Sequence, residues 1–167
     1  MLKSTALAGL VVGLLGAMPL AAAAAPIVTA QSASVLVGDT FSIDITVTDA
    51  ADLTSWQFDL SFDPAIVTAT NVTEGPFLAA FGTTLTPPTL FGSGVMAGGS
   101  IFGVTNSFVD LPPNPSGDGV LATIQFIALA PGVSPLALTN AFVNLSTDVT
   151  AVDGTITVSA LIVRNLS

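Results

Sequence analysis

The chain has 167 residues, of which 11 are Asp or Glu, two are Lys or Arg, and none is His, Cys or Tyr. A formal net charge of −9 repels phosphate backbones and anionic lipid, which excludes nucleic-acid binding. With 51% hydrophobic residues the chain can bury a core, unlike a disordered acidic tract.

The first elements are not part of the fold. Lys3 gives a short positive start, Leu7 to Leu15 is an apolar run, Pro19 breaks it, and Ala21 to Ala25 supplies small residues. That order matches a secretory leader, assigned to residues 1–24 with cleavage within Ala22 to Ala24. The apolar run falls short of the roughly 20 residues that span a bilayer. Removing the leader takes Lys3 with it and leaves Arg164 as the one base. The remaining chain is expected to be one domain over residues 25–160 with a short tail, 161–167. A domain of that size buries roughly 70% of its unfolded surface. It can therefore rest on its core without disulfides, even after export to an oxidising compartment.

The domain reads as strands. In "FSIDITVT", Phe41, Ile43, Ile45 and Val47 alternate with Ser42, Asp44, Thr46 and Thr48, the period of a half-buried strand. Asp49 to Asp52 turns the chain. In "SWQFDLSFD", Trp56, Phe58, Leu60 and Phe62 take the inward phase, and Ser55, Gln57, Asp59, Ser61 and Asp63 the outward one. Asp63-Pro64 ends this strand, because proline cannot donate to a ladder. "IVTATNV" follows as a third strand. "EGPFLAAFG" is expected to form one helical turn, with Phe77, Leu78 and Phe81 plugging an end of the core. "SIFGVTNSF" is a further strand, then "VDLPPNPSGDG" a long loop with Asn114-Pro115 and Asp118-Gly119 turns. "VLATIQFIA" places Ala122, Ile124 and Phe126 on one face. "SPLALTNAFVNL" loses phase near Thr139-Asn140, as at a bulge. "AVDGTITVSA" is read as one closing strand, and the first strand, near Ile27 to Gln31, is expected to pair with the last. Eight or nine strands with frequent turns and no substantial helix predict an all-β, antiparallel β-sandwich or jelly roll.

The inventory narrows the chemistry. Without His or Cys there is no Ser-His-Asp triad, no Cys-His dyad and no His-ligated zinc site. Without lysine there is no Schiff base. Carboxylate-only catalysis is the class left, and spacing counts against it. Asp59 and Asp63, four apart in a strand, stand roughly 13 Å apart, whereas glycosidase pairs need about 5–9.5 Å. Whether Asp44 opposes Asp59 across a ladder stays open. Calcium needs six to eight oxygens, and the Asp49/Asp52 turn and the Asp110 to Asp118 loop offer two carboxylates each. They read as turn formers, so no metal or other cofactor is expected. Phe81, Phe91, Phe102 and Phe108 could stack on sugars if they were exposed.

The stretches "VLVGDTFSIDITVTDAADLTSWQFDLSFDPAIVTATNVTEGPFL" (Val35 to Leu78), "SGDGVLATIQFIALAPGVSPLALTN" (Ser116 to Asn140) and "GTITV" together resemble a cohesin domain. The resemblance implies a nine-stranded jelly roll related to carbohydrate-binding modules. It also implies a non-catalytic role in which one sheet face, built around the strand matching "SWQFDLSFD", grips a dockerin-type module. Ser55, Gln57 and Asp59 would lie on that face. Ser55-Trp56-Gln57 departs from the Asn-x-Asp usual at this point in cellulosomal type I cohesins, and any calcium in such pairs belongs to the dockerin. The alternative on the same fold is a module that binds carbohydrate, acting in polysaccharide catabolism or in an exopolysaccharide matrix. The chain also resembles PEP-CTERM proteins of Gram-negative bacteria, without their Val-Pro-Glu-Pro sorting tail. That implies a secreted or cell-surface protein with no stable membrane insertion.

Overall fold

Alternation of inward and outward side chains, interrupted at bulges, builds the main strands of this protein, which a computed structural model describes over residues 24–85 and 96–161. Residues 1–23 of the expected leader, Phe91 and Arg164 lie outside those residues. The strands are β1 (Ile27–Ala30), β2 (Ala33–Leu36), β3 (Thr40–Ala50), β4 (Ser55–Ser61), β5 (Val67–Glu74), β6 (Met96–Ala97), β7 (Ser100–Ser107), β8 (Gly117–Ala128), β9 (Gly132–Val143), β10 (Thr150–Val152) and β11 (Gly154–Ser159). One helical turn, α1 (Pro76–Ala79), is the only helix among the described residues.

Two sheets stack into a sandwich. One has the order β10-β1-β3-β8-β5, the other β2-β11-β9-β4-β7-β6. Pairing is antiparallel except for β1 with β10 and β2 with β11. The expected pairing of the first strand with the last holds for the first part of "AVDGTITVSA", since β1 lies between β3 and β10, whereas the second part, β11, pairs with β2. The physical reason is a crossover at each end of the chain. Between Ala30 and Ala33 the chain passes from one sheet to the other, and it does so again at Asp153. "AVDGTITVSA" is thus two short strands in two sheets. Counting each crossing pair as one bent strand gives nine, the number the resemblance implies. Gly154 makes the crossing possible, because a Cβ there would lie 2.6 Å from the Ala30 carbonyl oxygen and 2.7 Å from that of Gln31.

The inward phases fill the space between the sheets. Ile43, Ile45 and Val47 of β3 and Ala122, Ile124 and Phe126 of β8 face Trp56, Phe58 and Leu60 of β4 and Leu136 and Leu138 of β9, all buried. Each such aliphatic or aromatic side chain contributes roughly 1.5–3 kcal/mol by leaving water. The Trp56 and Phe58 rings stack at 5.6 Å, and Phe62 meets Phe126 edge-on at 5.3 Å. The helical turn after β5 closes one end with Phe77 and Leu78, as expected. Phe81 does not join them. It is 57% exposed and meets the Phe77 ring in a T-shaped contact at 6.0 Å, because the helix ends at Ala79 before its phase returns Phe81 to the core.

Candidate functional site

The outward phase of β4 lies at the centre of the six-stranded sheet. Ser55 stands opposite Ser107 of β7, and Gln57 lies between Thr105 of β7 and Phe142 of β9. Asp59 is the only charged residue in the six strands of this sheet. It is flanked by two bulges. On β7 the register slips between Phe58 and Leu60, where Gly103 has φ +62°. On β9 it slips between Gln57 and Asp59, where Asn140 has φ +49°. The Gly103 N–H donates to Asp59 Oδ1 at 2.6 Å and the Asn140 side-chain amide to Oδ2 at 2.6 Å. One carboxylate therefore caps both bulges. The phase slip expected near Thr139-Asn140 is this second bulge.

Asp44 and Asp59 do not oppose one another, since β3 and β4 belong to different sheets. Asp44 accepts from the Thr123 hydroxyl at 2.6 Å, and Asp63 from the Ala65 N–H at 2.9 Å in its own turn. Eight of the 11 carboxylates accept such bonds, at Asp39, Asp44, Asp59, Asp63, Glu74, Asp110, Asp118 and Asp153. They tie backbone and hydroxyl donors at scattered points of the molecule. Of the four read as turn formers, Asp49 and Asp52 have φ +57° and +47° in their turn, while Asp110 and Asp118 accept from the Thr83 and Asp49 N–H groups, 27 and 69 residues away.

A depression of about 380 Å³ opens beside Ser55 and Gln57. Trp56 lies beneath it, with its indole turned into the core. Thr105 and Ser107 form one wall, and Phe142 and Leu145 the other. Sequence reasoning missed these four. The β7 alternation carried a signal for Thr105 and Ser107, and the β9 bulge hid that for Phe142. Leu145 sits on a turn with no period to read. Of the four phenylalanines considered for sugar stacking, Phe102 on β7 is 55% exposed and Phe81 57%, while Phe108 is buried. The exposed two lie on separate elements, so among the described residues they form no aromatic strip. No helix of the described residues is long and apolar enough to cross a membrane.

Two sheets of this order, with a terminal strand crossing at each end, define a jelly-roll β-sandwich, and the outer face of its six-stranded sheet has a single charged residue. The cohesin-domain profile matches residues 27–162, and the chain belongs to the cohesin family. Cohesins are non-catalytic interaction modules. Among solved structures, the fold is similar to a non-cellulosomal cohesin from the archaeon Archaeoglobus fulgidus, with TM-score 0.62 and 19% identity over 81% of this chain and 92% of that one. It is similar to the third ScaC cohesin of Acetivibrio cellulolyticus, solved with the ScaB dockerin, with TM-score 0.59 and 23% identity over 80% and 98%. A cohesin from the Coh-OlpC–Doc435 complex of Clostridium thermocellum gives TM-score 0.62 and 12% identity over 82% and 95%. No curated protein sequence matches the chain at a significant level.

Proposed function

We propose that the chain is a non-catalytic extracellular module that docks a dockerin-type protein through the outer face of its six-stranded sheet. Ser55 and Gln57 are the contact residues at the centre, and Asp59 is the group that shapes the face between them and the two bulges. The observation that carries this reading is the face itself. It is uncharged apart from one carboxylate with both oxygens bonded, mixed in polarity, and indented beside Ser55 and Gln57. Such a surface, depleted of charge at its centre, suits a protein interface core. Cohesin neighbours solved together with dockerins support the same partner class. The secretory-leader pattern of residues 1–24 supports export from the cell, and a Gram-negative, PEP-CTERM-type setting rests on the sequence resemblance alone.

The test is calorimetry against each dockerin module encoded in the same genome. Ser55→Arg with Gln57→Arg should abolish binding while leaving the unfolding temperature unchanged. Retained affinity in that double variant would remove the face from the interface. A second reading, carbohydrate binding on the same face, is favoured only by the exposed Phe102 ring. Titration with a panel of neutral and acidic polysaccharides decides it, because absence of heat at millimolar ligand counts against it.

A further inference from the structure

Among the described residues, three of the 11 carboxylates accept no hydrogen bond, at Asp49, Asp52 and Asp148. Two of them, Asp49 and Asp148, line one depression of about 250 Å³ at the end of the five-stranded sheet. Its other walls are the segment Ala24, Ala25 and Pro26 that leads into β1, and the ridge between β9 and β10, where the Asn144 side chain bonds to Thr54 and Ala51.

The strand pairings explain why the two acids meet there. β1 lies between β3 and β10. Antiparallel pairing sets Ile27 against Thr48 of β3, so Asp49 follows directly where β1 begins. Parallel pairing sets Ile27 against Thr150 of β10, so Asp148 comes alongside the residues that precede Ile27, and the Thr150 N–H donates to the Pro26 carbonyl at 3.0 Å. An acid thus stands on each side of the chain just where it enters the fold. Asp118 of β8, whose carboxylate accepts from the Asp49 N–H at 2.9 Å, adds a third behind Asp49. The described residues contain no Lys, Arg or His to neutralise them.

That entry point is also where the expected leader ends. Removal of residues 1–24 makes Ala25 the amino terminus, and a cut one residue earlier makes it Ala24; both line the depression. In either cut water adds across the peptide bond. The departing carbonyl carbon takes the hydroxyl, and the new terminal nitrogen takes a proton and, near neutral pH, a second one from solvent.

We propose that the depression is the binding site for the ammonium group that leader removal creates, with Asp49 and Asp148 as its two carboxylate partners. The ligand is a primary ammonium supplied by the chain itself. Lys3 departs with the leader, so this is the only primary amine left. Pairing fastens the start of β1 to the entry of β10, a three-residue edge strand that pairs with β1 alone. While the leader is attached the same nitrogen is an uncharged amide, so processing strengthens this seam. The inference rests on the leader reading and is independent of what the six-stranded sheet binds.

The test expresses the full chain with its own leader in a Gram-negative host and takes the processed protein from the periplasm. Intact mass should place the terminus at Ala24 or Ala25. Any other terminus would overturn the proposal, and a retained leader would remove the leader reading as well. With a single primary amine present, the rate of acylation against pH gives the pKa of that amine. It should lie about 0.5–1 unit above that of a peptide with the same first four residues in the same salt. It should fall to the peptide value in Asp49→Asn with Asp148→Asn, and part of the way in each single variant. Asp52→Asn, outside the depression, should move it by less than about 0.2 unit. Acylating the amine should speed amide exchange at Thr150 about two- to five-fold in the wild type and leave it unchanged in the double variant. An amine that titrates as in the peptide, or a raised value that survives the double substitution, would overturn the pairing. Calcium-binding heat that appears in the wild type and is lost in the double variant would assign the acids to a metal ion and overturn it too.

Discussion

We predict that Asp59→Ala lowers stability more than its half-exposed position suggests. Its carboxylate accepts from the Gly103 N–H and the Asn140 amide, both at 2.6 Å. Hydrogen bonds to a charged group contribute about 1.5–3 kcal/mol each, and leaving a part-buried donor without a partner costs about 1–3 kcal/mol. The Asn140 side chain is exposed and regains water on truncation, so its bond adds little. The Gly103 N–H is part-buried inside a bulge and recovers less. The expected loss is about 2 kcal/mol, most of it at Gly103. At about 3–4 °C per kcal/mol for a domain of this size, the unfolding temperature should fall by about 6–8 °C. Asp59→Asn keeps one acceptor and should lose about half as much. Differential scanning calorimetry on the wild type and both variants measures this directly. A change within about 1 °C for Asp59→Ala would refute the clamp and return the carboxylate to the interface as a free contact.

Three further substitutions probe other joints. Phe58→Ala removes a fully buried ring from the centre of the core and should cost about 3–5 kcal/mol, read as a shift of the urea midpoint at constant slope. Gly154→Ala puts a methyl group against the Ala30 and Gln31 carbonyl oxygens and should destabilise by about 1–3 kcal/mol; an unchanged midpoint would mean that the two crossing strands can separate freely. Asn144→Gly retains the positive φ but removes the side-chain bonds to Thr54 and Ala51. It should cost about 1 kcal/mol and raise amide exchange at Thr54, and unaltered exchange there would show that the ridge needs no pin.

What was legible in the sequence follows from range. The inward phase of β4 is a local property, and Trp56, Phe58 and Leu60 are buried as their alternation requires. The bulge near Asn140 also left a local trace, since it breaks a period of two. The neighbours of Asp59 left none. Gly103 is 44 residues away and Asn140 81, and no pattern within a strand specifies which strand lies beside it. The crossovers failed for a different reason. β1 and β2 have four residues each, too few for alternation to separate one bent strand from a strand and a loop. Composition could not see Leu145 at all, because an exposed leucine on a turn carries no period. Its position is fixed by the bonds of Asn144 to a segment 90 residues earlier.

The distribution of charge sharpens what kind of association this surface permits. All 11 acids lie within the described residues, and no base there offsets them. The six-stranded sheet nevertheless has a single carboxylate, and that one is bonded at both oxygens. The other acids lie in the second sheet and in the turns, mostly exposed, and their mutual repulsion opposes self-association. The neutral face is therefore the part of the surface with least to lose by desolvation, because burying an unpaired charge costs far more than burying a hydroxyl or a methyl group. A partner that covers this face needs no cation at its centre. Affinity for a partner on this face should then depend only weakly on salt.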